Sequence, residues 1–397
     1  MAKLSKNLVI VGAKRTAFGT LSGSLKGISA IDLGVIAAKA ALAQSGVAVA
    51  DIGHVIAGNV MQTSSDAIYG ARHIGLKAGL PITTPALTVN RLCGSGFQAI
   101  INGCEQLLLG DADAILAVGT ENMTQAPHVL RGGRDGWAFG KSPAVEDSLW
   151  AGLTDSYCNT AMAVTAENLA VKYGITRQQC DELALSSQQR WAAANEKGIF
   201  KDEIVPVEVQ QKKATIQFMV DEHPRPQTTM EALAKLNPVF KKDGVVTAGN
   251  ASGINDGAAA LVVTTEEFAK AKGLKPLARI VQWGVAAVDP SIMGIGPAPA
   301  IQHALQRAGL KLGDMDIVEV NEAFAAQYLA VEKELGLDRA KTNLDGGGIS
   351  IGHPLGASGA RITAHLAYAL QRGQAKFAVG SACIGGGQGL AIILERV

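Results

Sequence analysis

An excess of charge of either sign is missing from this 397-residue chain: 36 Lys and Arg stand against 35 Asp and Glu, a net charge of +1. That balance gives no support to nucleic acid or an anionic membrane as the main partner. Aromatic residues are scarce at 5%, and Trp137, Trp150, Trp191 and Trp283 are scattered, which fits packing better than a platform for stacking bases. No apolar run reaches 18 residues, so no membrane-spanning helix is expected. Cysteine is sparse and unpaired in pattern. Cys93, Cys104, Cys158, Cys180 and Cys383 show no C-x-x-C, and an odd count in a long chain points to a reducing compartment rather than a disulfide framework. His54, His73, His303 and His365 have no spacing suited to metal ligation, so no metal is expected. Residues 1–6 lead straight into the apolar stretch 8–11, leaving no room for a cleavable leader. The expectation is a cytoplasmic protein, with the mitochondrial matrix and an uncleaved address as the alternative.

What is present is apolar bulk and glycine. Apolar residues make up 48% and charged residues 18%, enough for a large core, and the length predicts two or three domain-sized units. Glycine, at 46 residues, stands well above the usual ~7% and signals tight turns and close backbone approaches.

The chain also repeats itself. Ala41-Leu42, Gly46, Asp51, Val55, Ser95-Gly96 and Gly110 recur as Ala304-Leu305, Gly309, Asp314, Val318, Ser358-Gly359 and Gly373, each 263 residues later. The offset is 261 at Val118-Gly119 and Val379-Gly380, then 132 at Gly257 and Gly389. Two copies of one α/β unit are therefore expected, the first carrying 129 extra residues. The division is residues 1–120 with 250–272 for the first half, 121–249 for the insertion and 273–397 for the second half.

Within each copy, strands alternate with helices. The spacing predicts a helix over 31–45 ending at Gly46, a strand over 54–57, and their counterparts over 300–308 and 317–320. A strand over 86–90 leads through a glycine-rich turn into a helix carrying Phe97, Ile100, Ile101, Cys104 and Leu108 on one face; Cys104 reads as core. Strands follow over 114–118 and 377–380. Such alternation implies largely parallel or mixed sheets covered by helices, with strand-to-helix turns gathered on one edge. In the insertion, Thr176 with Gln179 is a capping-box start for a helix that stops near Gly198. The insertion reads as a lid, a substrate-binding domain or a dimerisation element.

Four segments could carry chemistry. In Asn-Arg-Leu-Cys-Gly-Ser-Gly (90–96), Cys93 occupies a sharp strand-to-helix turn, where a helix N-terminus is expected to favour the thiolate and bring its pKa below ~7.5. In Gly-Gly-Gly-Ile-Ser-Ile-Gly-His-Pro-Leu-Gly-Ala-Ser-Gly (346–359), His353 precedes the equivalent turn of the second copy, where it could serve as proton acceptor or donor. In 382–389, Cys383 stands just after the predicted strand beside a glycine run; that run lacks G-x-x-x-x-G-K-[ST] and is a weak phosphate cradle. In Val-Asn-Glu-Ala-Phe (320–324), Asn321 ends a strand and could orient a water or a carbonyl. Each is also compatible with a purely structural role.

Taken in order, NRLCGSG, TAGNASGINDGAA (247–259), NEAF, GHPLGASGAR and CIGGGQG resemble the thiolase family over essentially the whole chain, most nearly the mitochondrial-type 3-ketoacyl-CoA thiolases and bacterial acetyl-CoA acetyltransferases. The resemblance implies α/β halves layered helix–sheet–helix–sheet–helix with an inserted loop domain. It implies acyl transfer from 3-ketoacyl-CoA to CoA by a ping-pong route, reversible to condensation of two acetyl-CoA. Cys93 would take the acyl group, His353 would activate it, and Cys383 would move protons. Asn321 would hold a water that forms one oxyanion hole with His353, while the N–H groups of Cys93 and Gly385 form the other. Ser252 and Arg225 match CoA contacts, and Leu153, Met162, Ala248 and Phe324 match tunnel positions. No permanently bound cofactor is implied, CoA being a substrate, and a homodimer or homotetramer is expected. One departure is Ala161-Met162, where many short-chain biosynthetic members carry His-Met; it leaves room for longer acyl chains. The rivals are a ketosynthase-like condensing enzyme, which normally has His or Asn in place of Cys383, a cysteine-dependent acyl-CoA hydrolase, and a non-catalytic acyl-CoA binder. A dinucleotide binder is disfavoured, since residues 11–19 do not fit G-x-G-x-x-G.

Overall fold

A computed structural model describes residues 4–211 and 214–397. The first half runs β1 (Leu8–Thr16), α1 (Ala30–Ser45), β2 (Ile52–Gly58), α2 (Gly70–Ala78), β3 (Ala86–Val89), α3 (Ser95–Leu109) and β4 (Ala114–Asn122). The insertion contributes α4 (Met162–Tyr173) and α5 (Arg177–Glu196), after which β5 (Asn255–Thr265) completes the half. The second half is β6 (Ala278–Ala287), α6 (Pro297–Ala308), β7 (Ile317–Val320), α7 (Ala325–Leu335), α8 (Gly348–Ile351), α9 (Leu355–Arg372), β8 (Phe377–Ile384) and β9 (Gln388–Glu395). No helix of the described residues is long and apolar enough to cross a membrane.

Hydrogen bonding makes the duplication visible. The strand order is β7-β8-β9-β6-β1-β5-β4-β2-β3. In the first half β5 is antiparallel to β1 and β4, and β2 and β3 join in parallel. In the second, β9 is antiparallel to β6 and β8, and β7 joins in parallel. The halves meet where Leu8–Ile10 pairs with residues 278–280, a seam of only three residues. One element breaks the symmetry. The counterpart of β3 is not a strand but the one-turn helix α8, because α5 of the insertion lies against it and Ser187 bonds Ser350 and the Gly347 N–H there.

Period-two alternation sorts the strands' side chains into layers. Leu8, Ile10, Leu261 and Val263 join a central core, whereas Val9, Val11, Ala260 and Val262 face an outer one with α1. In β9, Ile392 and Leu394 face the centre, while Ala391 and Ile393 face the outer core with α6 and α7. Between the two sheet halves lie α3, with Phe97, Ile100, Ile101, Cys104 and Leu107, and α9, with Ile362, Leu366 and Leu370. The result is helix, sheet, helix, sheet, helix. Burying each large side chain there stabilises the fold by roughly 1.5–3 kcal/mol.

Buried charges tie the insertion to both halves. Arg15 of β1, fully buried, pairs with Glu203 at 2.7 Å and Asp221 at 2.7 Å. His365 of α9 lies 2.9 Å from the other Glu203 oxygen and 3.2 Å from Asp345, which also meets Arg372. Burial opposes charge on His365, but Glu203 and Asp345 outweigh it and hold the imidazole up to about 9. Because this pKa is raised above its unfolded value, the stabilisation is full below about pH 6.5 and is lost as pH climbs through 9. His365→Gln is therefore expected to lower stability by on the order of 2–3 kcal/mol near neutral pH. Thermal unfolding of both proteins should show the gap narrowing in alkali; a constant gap contradicts the ion-pair account.

Candidate active site

The turn after β3 is built by its own polar side chains. Asn90 Oδ1 accepts from the Leu92 N–H at 2.9 Å, and Leu92 is held in the left-handed region at φ 45°. Ser95, the first residue of α3, accepts from the Arg91 N–H and donates to the Leu92 carbonyl. Cys93 sits on this turn half-buried, its sulfur facing its own N–H and that of Gly385.

Gly385 follows β8 directly. The strand runs to Ile384, further than the sequence predicts, so Cys383 lies on the strand rather than after it and pairs with Gly389 of β9. Gly386 and Gly387, both near φ 80°, then make the hairpin. Cys383 is fully buried, packs with Met162, Phe324 and Met293, and has the Cys93 sulfur as an electrostatic neighbour.

His353 is 4% exposed. Its N–H is held by Asn255 Oδ1 at 3.1 Å. Ser358 Oγ donates to the Pro354 carbonyl at 2.9 Å, so its oxygen receives the Nδ1–H of His353 at 2.6 Å. This network assigns the tautomer and makes Nε2 the ring's acceptor, facing an amide donor. Asn321 Nδ2 is 3.3 Å from Nε2, and its buried Oδ1 has no partner. Leu355, two residues after His353, packs in the same small cluster as Cys93 and Leu153.

The electrostatics correct one expectation. Burial, joined by the Glu121 carboxylate, pushes the Cys93 thiol up to about 11 although two N–H groups pull the other way. Desolvation thus beats the helix N-terminus, and the resting group is a thiol, not a thiolate. Burial likewise raises Cys383 well above the usual thiol range, with Cys93 adding to it. It lowers His353 to about 3, with the Arg361 charge assisting, so the imidazole is neutral at rest. Thiols beside fixed N–H donors, and a neutral imidazole on the turn before α9, can each give or take a proton without a standing charge at rest.

The sequence-derived residues fall in three groups. Cys93, Cys383 and Gly385 are brought together, with Leu153 beside Cys93 and Met162 and Phe324 beside Cys383. His353 and Asn321 face each other. Ser252 donates its N–H to the Ala323 carbonyl next to Phe324, whereas Ala248 and Arg225 are exposed and outside those clusters. The Arg225 guanidinium bonds back to the carbonyls of Glu222, His223 and Pro224. Sequence reasoning missed Asn255, Ser358 and Glu322. Ser358 and Asn255 stood inside motifs already singled out. Glu322, which binds Ser187, Asn343 and the Ile349 N–H, follows Asn321 directly.

Comparisons with known proteins cover the chain from end to end. The family model for thiolase, N-terminal domain, matches residues 8–267, and that for thiolase, C-terminal domain, matches 274–396. The human mitochondrial 3-ketoacyl-CoA thiolase is 58% identical over 392 residues, 99% of both chains. A β-ketothiolase of Cupriavidus necator is 49% identical over 395 residues, 99% of this chain and 100% of that one. The crystal structure of human mitochondrial 3-ketoacyl-CoA thiolase in complex with CoA matches with a TM-score of 0.97 at 58% identity, over 100% of this chain and 99% of that one. The Bacillus anthracis acetyl-CoA acetyltransferase structure matches at 0.96 and 45% identity, over 100% of both chains. With both halves and the insertion between them matched at this identity, the chain belongs to the thiolase family.

Proposed function

We propose that this thiolase cleaves 3-ketoacyl-CoA with CoA to acetyl-CoA and a shortened acyl-CoA, and runs the reverse condensation of two acetyl-CoA. The observation that carries the reading is the convergence of two N–H groups, Cys93 and Gly385, on the Cys93 sulfur, with the Cys383 sulfur beside it. Cys93 Sγ attacks the keto carbonyl as its proton passes to His353 Nε2. The bond between C2 and C3 breaks, its electron pair stays on C2, and Cys383 protonates that carbon. CoA then gives its thiol proton to Cys383 and attacks the thioester on Cys93, which leaves and recovers its proton from His353. A water held by Asn321, with His353, meets one developing oxyanion, and the Cys93 and Gly385 N–H groups meet the other. Each such donor is worth ~2.7–4 kcal/mol at the transition state. CoA binds as substrate, and no permanent cofactor enters the scheme.

Finer parts of the reading have their own support. Ser252, beside Phe324, fits a CoA contact; Arg225 would have to release its own carbonyls to reach a nucleotide. The small side chain at Ala161, next to Met162, favours acyl chains longer than acetyl. The segments 1–120 with 250–272, 121–249 and 273–397 serve as first half, insertion and second half, although β4 carries the first half on to Asn122. The short edge strand β3, with Leu87 exposed on it and Ile82 exposed in the loop before it, gives a homodimer or homotetramer a place to pair sheets. Mitochondrial relatives fit the matrix alternative, and the bacterial ones fit the cytoplasmic reading.

A CoA-dependent cleavage assay across acyl chain lengths tests the activity. Cys383→Ser is expected to accept an acyl group on Cys93 but to lose condensation by on the order of 10²–10⁴-fold, the usual reach of a positioned acid or base. Release of free acid instead of acyl-CoA would assign a hydrolase.

A further inference from the structure

Glu121, next to last in β4, is fully buried and outside the scheme above, and no Arg, Lys or His among the described residues pairs with it. Its four partners are all N–H donors. Oε1 accepts from Asn59 Nδ2 and the Met61 N–H, both at 3.0 Å. Oε2 accepts from the Val60 N–H at 3.1 Å and the Gly356 N–H at 2.9 Å. A carboxylate with no cation, held only by N–H groups, is a costly arrangement to keep in a core unless the bonds have a task.

Both arms of this clamp end at a reacting side chain. On one side, the Val60 carbonyl accepts from Asn90 Nδ2 at 3.1 Å, and Asn90 Oδ1 holds the left-handed Leu92 that precedes Cys93. On the other, Gly356 lies in the first turn of α9, which also carries Ser358, the acceptor of the His353 Nδ1–H. A Cβ at 356 would stand 2.5 Å from the Thr120 carbonyl and 3.0 Å from Glu121 Oε2, so only glycine permits this approach. We propose that Glu121 is a positioning residue of the thiolase reaction: its carboxyl locks the Cys93 turn to the His353 turn across the two halves. The inference rests on the reading of Cys93 as nucleophile.

The electrostatics agree. Burial raises Glu121 to about 7, with Asp256 of β5 adding to it, while the N–H groups of Met61, Gly356 and Val60 favour the carboxylate. Glu121 in turn raises Cys93, whose other titratable neighbour is Cys383 on β8; His353 stands neutral.

Three variants separate the roles. Glu121→Gln removes the charge and turns an NH2 toward N–H donors; kcat should fall at least 10-fold with KM for CoA little changed, and the pH midpoint for iodoacetamide alkylation of Cys93 should move down. Glu121→Asp keeps the charge but shortens the reach, so kcat should fall while the midpoint stays. Asn90→Ala, at an exposed residue, should lower kcat with Glu121 intact. A folded Glu121→Gln with the wild-type kcat and midpoint overturns the positioning role. A fully active Asn90→Ala overturns the relay, even if the Gln variant does not fold. Failure of the wild type to form an acyl adduct on Cys93 overturns the underlying reading instead.

Discussion

Cys93→Ser is expected to abolish the covalent acyl adduct and to lower kcat for cleavage by on the order of 10⁴-fold or more, while leaving the fold intact. Two physical reasons combine. The resting site holds neutral groups, with His353 lowered to about 3 and the Cys93 thiol raised to about 11, so the proton moves only as the sulfur attacks. A serine hydroxyl is a much weaker acid than a thiol and makes that coupled transfer far harder. Energetics of the second half-reaction point the same way. An acyl group on Cys93 passes to CoA as one thioester for another, whereas an oxygen ester on serine would have to be driven uphill. Intact-protein mass measurement after incubation with acetoacetyl-CoA reads the adduct directly. Equal labelling of wild type and Cys93→Ser would remove Cys93 from the mechanism.

Gly96→Ala should damage both fold and activity, although no reacting atom is touched. A Cβ there would stand 2.5 Å from the Ala360 N and 2.8 Å from the Gly356 carbonyl, both backbone atoms of α9. On the facing side, a Cβ at Gly359 would stand 2.4 Å from the Phe97 N. Neither neighbour is a flexible side chain, so the helices must separate. Overpacking of this kind costs roughly 1–3 kcal/mol or more, and we expect the upper end. Separation also moves the Cys93 turn away from the turn of His353, so kcat should fall more than 10-fold in the protein that still folds. Gly27→Ala, where the added methyl meets nothing within 4 Å, is the control. Thermal unfolding and kcat of the two variants check this; a Gly96→Ala protein as stable and active as the control would contradict the crossing as described.

The same helix crossing explains why the duplication was readable. Close backbone approach at the middle layer demands glycine in both copies, and Ser95-Gly96 and Ser358-Gly359 repeat in step for that reason. Apolar periodicity along α3 likewise announced the face that the central core buries. Local chemistry such as the Thr176 and Gln179 capping box was legible because its partners are three residues apart.

Other features depended on partners far along the chain. The strand over 377–384 outran its predicted end because pairing with β9, not local propensity, sustains it through Cys383. The counterpart of β3 became α8 because a helix from the insertion supplies its hydrogen bonds. Nothing near residue 121 in the sequence marks a carboxylate that will meet N–H groups at positions 60, 61 and 356.

By itself, the order of residues determined the repeat, the two-half architecture and the identities of the groups at the strand-to-helix turns. These follow from spacing, glycine placement and side-chain chemistry, all of which are local. Tertiary structure alone decided their protonation. A helix N-terminus argues for a thiolate at Cys93, but the free energy of charging a sulfur depends on how much water is removed around it. Leu153 and Leu355, from distant stretches of chain, pack with Cys93, and Glu121, from a third, adds its charge.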